Sequence, residues 1–495
     1  MGIFVETIFI KRRSALLRRR TRRHKTMDID DFSVNDFTTA YRNGTLSPVE
    51  VLEHKSDLMD AAEPVLHAMA KRYDNTHTTI EDAQASEKRW KQGNPLSPLD
   101  GVPLTIKENV NVKGEVTTWG CKAFADSEPA TLNSPVYDLL KKTGCTILGK
   151  TAMPEWGMLS SGLSTDHPTT CNAWNAQWNP GGSSAGAGCA SAAGYSPINF
   201  GSDIGGSVRL PASWNGVSGL KPTFGRIPVD PPYFGRSIGV LGRHLDDIAT
   251  AISLTSASDW RDPYSLPLAQ PGWLDAPQRD IHDITIGLLL DAGAGAPVNP
   301  EVAEAVLKVA DFFENAGAKV VKLRPFVDGS IDLIDMFWRA GHYRDYAALS
   351  QDRKDLVLPF ISQWCMAGAD ISSGQAVRGS DEQLALAKRT LDATKDVDFI
   401  VSPVSPDATY PVDWPMPSND VEHAMSHIAF CLPYNMSGQP ASSLNCGFTS
   451  DRRPIGVQIA GQRFDEAGVL WMSRLYESLK PDSAKVNSWP RIWES

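Results

Sequence analysis

A chain of 495 residues that is 42% apolar and 21% charged can bury a large core and has the balance of an ordinary globular protein. No apolar run of about 18 residues occurs, so no membrane-spanning helix is predicted. The net charge is −10, but residues 1–26 hold nine Lys/Arg against the single acid Glu6, a segment of +8 that leaves −18 for the rest. An acidic body argues against nucleic acid or an anionic membrane as partner.

The basic segment, KRRSALLRRRTRRHK, is read as an extension outside the fold over 1–26, with one domain over 27–495. Seven cysteines (121, 145, 171, 189, 365, 431, 446) are scattered without a CxxC pair or clustered histidines. That pattern predicts no metal site and a reducing compartment. The cytoplasm is expected, and the basic leader leaves organelle import open.

Apolar residues recur at helical spacing over 34–44 and 48–69, and Ser47-Pro48-Val49-Glu50 has the form of a capping box with proline at the first helical position. A polar helix is expected over 77–92, stopped by Gly93. In LDGVPLTIKENVNVKG, Val102 to Ile106 reads as a short buried strand that delivers Lys107 at its end. Ser134–Thr143 reads as helix and Cys145–Leu148 as strand. Gly144 to Thr151 matches the phosphate-loop pattern GxxxxGK[ST]. That loop needs a strand before it and a helix after it. Here a helix precedes, CTIL is strand-like and Pro154 blocks a following helix, so nucleotide binding is rejected.

Residues 225–280 are rich in proline and turns and are expected to wrap the core. Strands are predicted over 283–290, 318–323 and 398–404, with a helix over 299–316 and further helices to about 396. The strand PIGVQIAG and a helix ending near 479 close the chain. Alternating strands and helices give an α/β class with a mixed sheet.

The stretch from Asn179 to Thr223 is dense in Gly, Ser and Ala and carries two Gly-Gly-Ser turns, each leading into a small-residue helix. Glycines let backbone approach a small polar group closely. A lysine held against VPLTI would be desolvated, which favours its neutral, basic form. Lys107, Ser183 and Ser207 are therefore candidates for serine chemistry with a lysine base. No histidine lies near either turn, and none of the ten histidines sits in a GxSxG elbow pattern. From the residues alone a second reading stands level: a surface lysine after an edge strand, and two serines capping helices.

NPGGSSAGAG followed 24 positions later (207 minus 183) by DIGGSVRLPA resembles the amidase signature family. GVPLTIKENVNVKG, LGKTAMPEWG, GLKPTFGRIP, NMSGQPASSLNCGF and PIGVQIAG resemble its other blocks in the expected order, over about 34 to about 478. The resemblance implies a central mixed β-sheet covered by helices on both faces and hydrolysis of amides without a cofactor. It assigns Ser207 as nucleophile, Ser183 as the bridging serine after a cis bond from Gly182, and Lys107 as base. The backbone amides of Ile204, Gly205, Gly206 and Ser207 would form the oxyanion hole.

Ser202 stands where the family often has threonine and is expected to orient Ser183. Asp203 and Arg209 are expected to satisfy each other, since buried charges are normally paired. Ala185 and Glu108 depart from the family's usual Gly and Asp. Trp156, Trp174, Trp178, Trp214, Tyr233 and Phe234 are candidates for an apolar pocket, each also explicable as core. The regions 225–280, 324–380 and 405–435 would set specificity and carry no binding motif. The expectation is a standalone amidase, a monomer or homodimer, that acts on a small hydrophobic or aryl amide, with esters or carbamates as further substrates. The alternatives are a glutaminase-type subunit of a tRNA amidotransferase and, lower, a non-catalytic scaffold.

Overall fold

The computed structural model describes residues 29–269, 272–275 and 279–494. The basic segment 1–26 lies outside the described residues. Eleven strands form one sheet: β1 (Met69–Arg72), β2 (Pro103–Lys107), β3 (Thr146–Thr151), β4 (Ile198–Asp203), β5 (Ser218–Lys221), β6 (Ser237–Gly242), β7 (Thr285–Leu288), β8 (Lys319–Lys322), β9 (Phe399–Pro403), β10 (Ala441–Phe448) and β11 (Pro454–Gly461). Their order is β1-β3-β2-β4-β6-β5-β10-β11-β9-β7-β8. β3, β2 and β4 run parallel, as do β9, β7 and β8, while the centre is antiparallel, so the sheet is mixed.

Successive strand residues point to opposite faces, and the core follows that period of two. Ile147, Val240, Val401 and Ile459 join one cluster with the helices Leu245–Thr255, Pro300–Asn315 and Glu466–Leu479. Their neighbours go the other way. Ile400 and Ala460 pack with the helices Ser330–Ala347 and Pro359–Met366. Leu148 and Leu241 pack with Pro48–Leu66 and Ala185–Ala193. Helices thus cover both faces, as expected. Near-continuous apolar strands such as FIVSP are what a sheet covered on both faces requires.

The Ser47 capping box forms, with Glu50 N–H donating to Ser47 Oγ and Glu50 Oε2 accepting from Ser47 N–H. The rejected phosphate loop is indeed a helix (Pro135–Thr143) turning into β3. The segment 225–280 departs from its expectation as a wrap, because it supplies β6, between β4 and β5, and the helix Leu245–Thr255. Within β6, Gly239 serves close packing. A Cβ at Gly239 would lie 2.6 Å from the Leu220 carbonyl oxygen. Gly-poor sequence could not take that place in the sheet.

Candidate active site

β2 and β4 are parallel neighbours, and both end at one place: Lys107 is the last residue of β2 and Asp203 the last of β4. The crevice beyond the carboxyl ends of such strands is where open α/β sheets place ligands. The first Gly-rich turn, Asn179 to Ser184, enters this crevice ahead of the helix Ala185–Ala193. The second, Ile204 to Val208, leaves β4 and enters the helix Arg209–Trp214. From Asn179 to Thr223 every residue is buried except Ile204 and Ser207, which are half-buried. The expected nucleophile therefore stands at the one opening in a dry stretch.

Lys107 is completely buried, and its Nζ donates to Ser183 Oγ at 2.8 Å and to Ser202 Oγ at 3.1 Å. Burial pushes the lysine down to about 7. Asp203 and Glu108 oppose that shift and Arg236 adds to it. A lysine in this state is substantially neutral near pH 7 and able to accept a proton. The Gly182–Ser183 peptide bond is cis, as the family resemblance implies. The second turn is tied to the first by Ser184 N–H, which donates to the Ser207 carbonyl at 3.2 Å.

The level alternative from sequence fails on three counts. Lys107 is not at the surface. The helix after Ser183 begins at Ser184 without a side-chain cap bond. The helix after Ser207 is capped at Val208, also without one.

Asp203 and Arg209 meet as an ion pair with no exposed atoms, Nη2 to Oδ1 at 2.8 Å and Nε to Oδ2 at 3.1 Å. Arg209 also donates to Gln458 Oε1 (2.7 Å), Asn435 Oδ1 (2.6 Å) and the Cys431 carbonyl (3.0 Å). Burial alone would raise the Asp203 carboxyl, but Arg209 and Asn435 hold it well below the carboxylate range. Burial likewise works against the Arg209 charge, and Asp203 more than offsets it.

The same carboxylate shapes the second turn. Asp203 Oδ1 accepts from Gly206 N–H at 2.9 Å and Oδ2 from Val208 N–H at 3.0 Å. Among the described residues, the amides of Ile204, Gly205 and Ser207 have no acceptor within the protein. Of the four amides expected in the oxyanion hole, Gly206 is thus already engaged and three remain free. Gly206 itself has φ +118°, and a Cβ there would lie 2.9 Å from Cys431 Cβ, so this turn admits only glycine.

Ser202 differs from expectation. Its hydroxyl accepts from Lys107 and from Asn109 Nδ2 (3.1 Å) rather than bonding Ser183. β4 aims it at the end of β2, where the lysine already bonds Ser183. Glu108 takes the Gly120 amide (2.7 Å) and pairs with His167 at 3.4 Å. The sequence reading did not single out Asn109, Asn435 or Gln458. Polar residues inside the apolar strand PIGVQIAG and two positions after Lys107 were the available signals.

Of the aromatic candidates, Trp156 adjoins the site in sequence. Its neighbour Gly157 would place a Cβ 3.6 Å from Ser183 Oγ. Trp156 stacks on His342 with ring centroids 5.7 Å apart and shares a cluster with Ile204, Phe234 and Ile428. Trp214 is core, set edge-on against Tyr410, and Trp174 packs on Phe448 and Trp489.

A family model described as Amidase matches residues 50–470. The chain is 31% identical over 464 residues to an acylamidase from Rhodococcus erythropolis, covering 91% of this chain and 95% of that one. It is 30% identical over 482 residues to a glutamyl-tRNA(Gln) amidotransferase subunit from Chloroflexus aggregans, covering 90% and 97%. Among solved structures it resembles a bacterial aryl acylamidase of the amidase signature family, with TM-score 0.81, 25% identity, and 91% and 96% of the two chains covered. The 6-aminohexanoate cyclic dimer hydrolase matches with TM-score 0.81, 25% identity, and 94% and 100% covered. The chain therefore belongs to the amidase signature family, as a hydrolase acting on amide C–N bonds.

Proposed function

We propose that this chain hydrolyses hydrophobic or aryl amides through an acyl-enzyme on Ser207, with Ser183 as proton bridge and Lys107 as base. The observation that carries the reading is the 2.8 Å bond from Lys107 Nζ to Ser183 Oγ between two buried side chains. A serine hydroxyl is weakly nucleophilic until a base takes its proton. Neutral Lys107 takes the Ser183 proton while Ser183 takes that of Ser207. The Ser207 oxygen then bonds the amide carbon, and the carbonyl electrons move to oxygen.

The amides of Ile204, Gly205 and Ser207 receive that oxyanion. Gly206, held by Asp203, fixes the shape of the turn instead. Collapse of the tetrahedral species breaks the C–N bond, and the proton returns through Ser183 to the leaving nitrogen. Water then attacks the ester by the same route, releasing the acid and restoring Ser207. Esters and carbamates fit this path because each forms the same kind of acyl-enzyme.

Trp156, Ile204, Phe234 and Ile428 support an apolar acyl group. The likeness to an acylamidase and an aryl acylamidase supports the same substrate class. The likeness to an amidotransferase component favours a second reading, glutamine hydrolysis within a complex. A panel of anilides, carbamates, primary amides and glutamine tests both. Turnover of anilides by the isolated chain, lost in Ser207→Ala, is the expected result. Activity restricted to glutamine would favour the second reading, and undiminished anilide turnover by Ser207→Ala would overturn the mechanism.

A further inference from the structure

Arg236 immediately precedes β6. In the β4–β6 ladder Ser202 faces Ile238 and Asp203 faces Ser237. Residues two apart share a face of a strand, so Arg236 lies on the Ser202 side, one step beyond the end of β4. Together with Asn109, Ser202 and Ile238 it walls a small cavity of about 10 Å³. Among the described residues the Arg236 guanidinium makes no hydrogen bond or ion pair, and its Nε is buried. Asn109 Oδ1, across the same cavity, is also buried without a partner.

Arg236 is half-buried with its Nε enclosed, and leaving that side of a cation unpaired is costly, whereas the fully buried Arg209 is bonded on every side. The cavity decides between two uses for Arg236. A space of about 10 Å³ takes roughly one water, so on its buried Nε side Arg236 has no room for a carboxylate of a substrate. On that side its field reaches Ser202, whose hydroxyl accepts from both Asn109 Nδ2 and Lys107 Nζ, and through it the lysine.

We propose that Arg236 is a positioning residue for the base: an unpaired cation behind Ser202 and Asn109 whose field keeps Lys107 from taking up a proton and extends activity to lower pH. This rests on the assignment of Lys107 as base. The charges facing Lys107 are Asp203 and Glu108, which favour its ammonium form, and Arg236, which opposes it. Asp203 is largely neutralised by Arg209, with Lys221 also nearby. Arg236 in turn faces Tyr233, Asp230 and Asp262. Both Asp262 oxygens are occupied by backbone, accepting from Val229 and Tyr264 N–H.

The test is kcat/KM against pH, from about pH 5 to about pH 9, for a neutral anilide with wild type, Arg236→Gln, Arg236→Lys and Asp230→Asn. In Arg236→Gln the acidic limb should move up by about half a unit to one unit, a loss of roughly 3- to 10-fold on that limb. Arg236→Lys should hold the limb near its wild-type position. Asp230→Asn removes a charge that screens Arg236 and should move the limb down, a readout that stands if Arg236→Gln does not fold.

An unmoved limb in a folded Arg236→Gln enzyme overturns the proposal. So does an equal loss at every pH, a fall confined to KM for carboxylate-bearing anilides, or an upward shift in Asp230→Asn. Retained hydrolysis in Ser207→Ala is a separate outcome, which overturns the proposed mechanism and not the role of Arg236 alone.

Discussion

The end of β4 separates two buried polar clusters that differ in one respect. On one side Asp203 and Arg209 are both ions, and Asn435, Gln458 and backbone amides complete their bonds. On the other, Lys107 touches two serine hydroxyls and no carboxylate among the described residues. A fully paired charge is held in one state and can only support structure. A desolvated, unpaired lysine loses much of its preference for the charged form and can exchange a proton. Burial is common to both, so pairing is what separates the structural cluster from the proposed catalytic one.

Substitutions on the two sides should therefore fail differently. The largest effect is expected for Ser207→Ala, with kcat on an anilide falling about 10⁴-fold or more while the thermal melt is unchanged. Arg209→Met should instead act on stability. It leaves Asp203 buried and unpaired, a loss of about 3–5 kcal/mol by denaturant titration. A Met variant with wild-type stability would remove the distinction between the clusters. Ser183→Ala removes the proposed bridge between nucleophile and base, and kcat should fall about 10²- to 10⁴-fold with the fold intact.

The smallest and most discriminating effect is in pH. With Lys107 as the proposed base, active when neutral and brought down to about 7, kcat/KM should rise tenfold per pH unit to about pH 7 and then level. Stability has the related sign. The folded value is depressed from 10.5, so between about 7 and 10.5 the unfolded chain binds a proton that the folded chain does not. Stability rises with pH across that window. Lys107→Met should therefore be stabilised relative to wild type most at or below pH 7, with the difference shrinking toward 10.5, as read by melting temperature.

Much of this was legible in the sequence because local patterns and local partners carry it. VPLTI, bounded by turns, is a buried strand, and Asp203 and Arg209 stand six residues apart across one turn. What was not legible depends on distant chain. Asn435 and Gln458 complete the Asp203–Arg209 cluster from more than 200 residues away. β6 was hidden because Gly239 and Gly242 interrupt its apolar run, and only the closeness of Leu220 and Pro197 explains them. That Asp203 takes the Gly206 amide, leaving three amides of the turn free, depends on a side-chain direction the motif does not specify. That Ser202 bonds the lysine and not Ser183 was hidden for a similar reason: it depends on where the strand aims the side chain.

The covalent intermediate offers the most direct test of the central claim. The enzyme would be mixed with an aryl carbamate that acylates quickly and hydrolyses slowly, and its intact mass followed with time before peptide mapping. One carbamoyl adduct on Ser207, forming with loss of anilide turnover and absent from Ser207→Ala, is the predicted result. An adduct on Ser183, or full turnover with no serine modified, would contradict it.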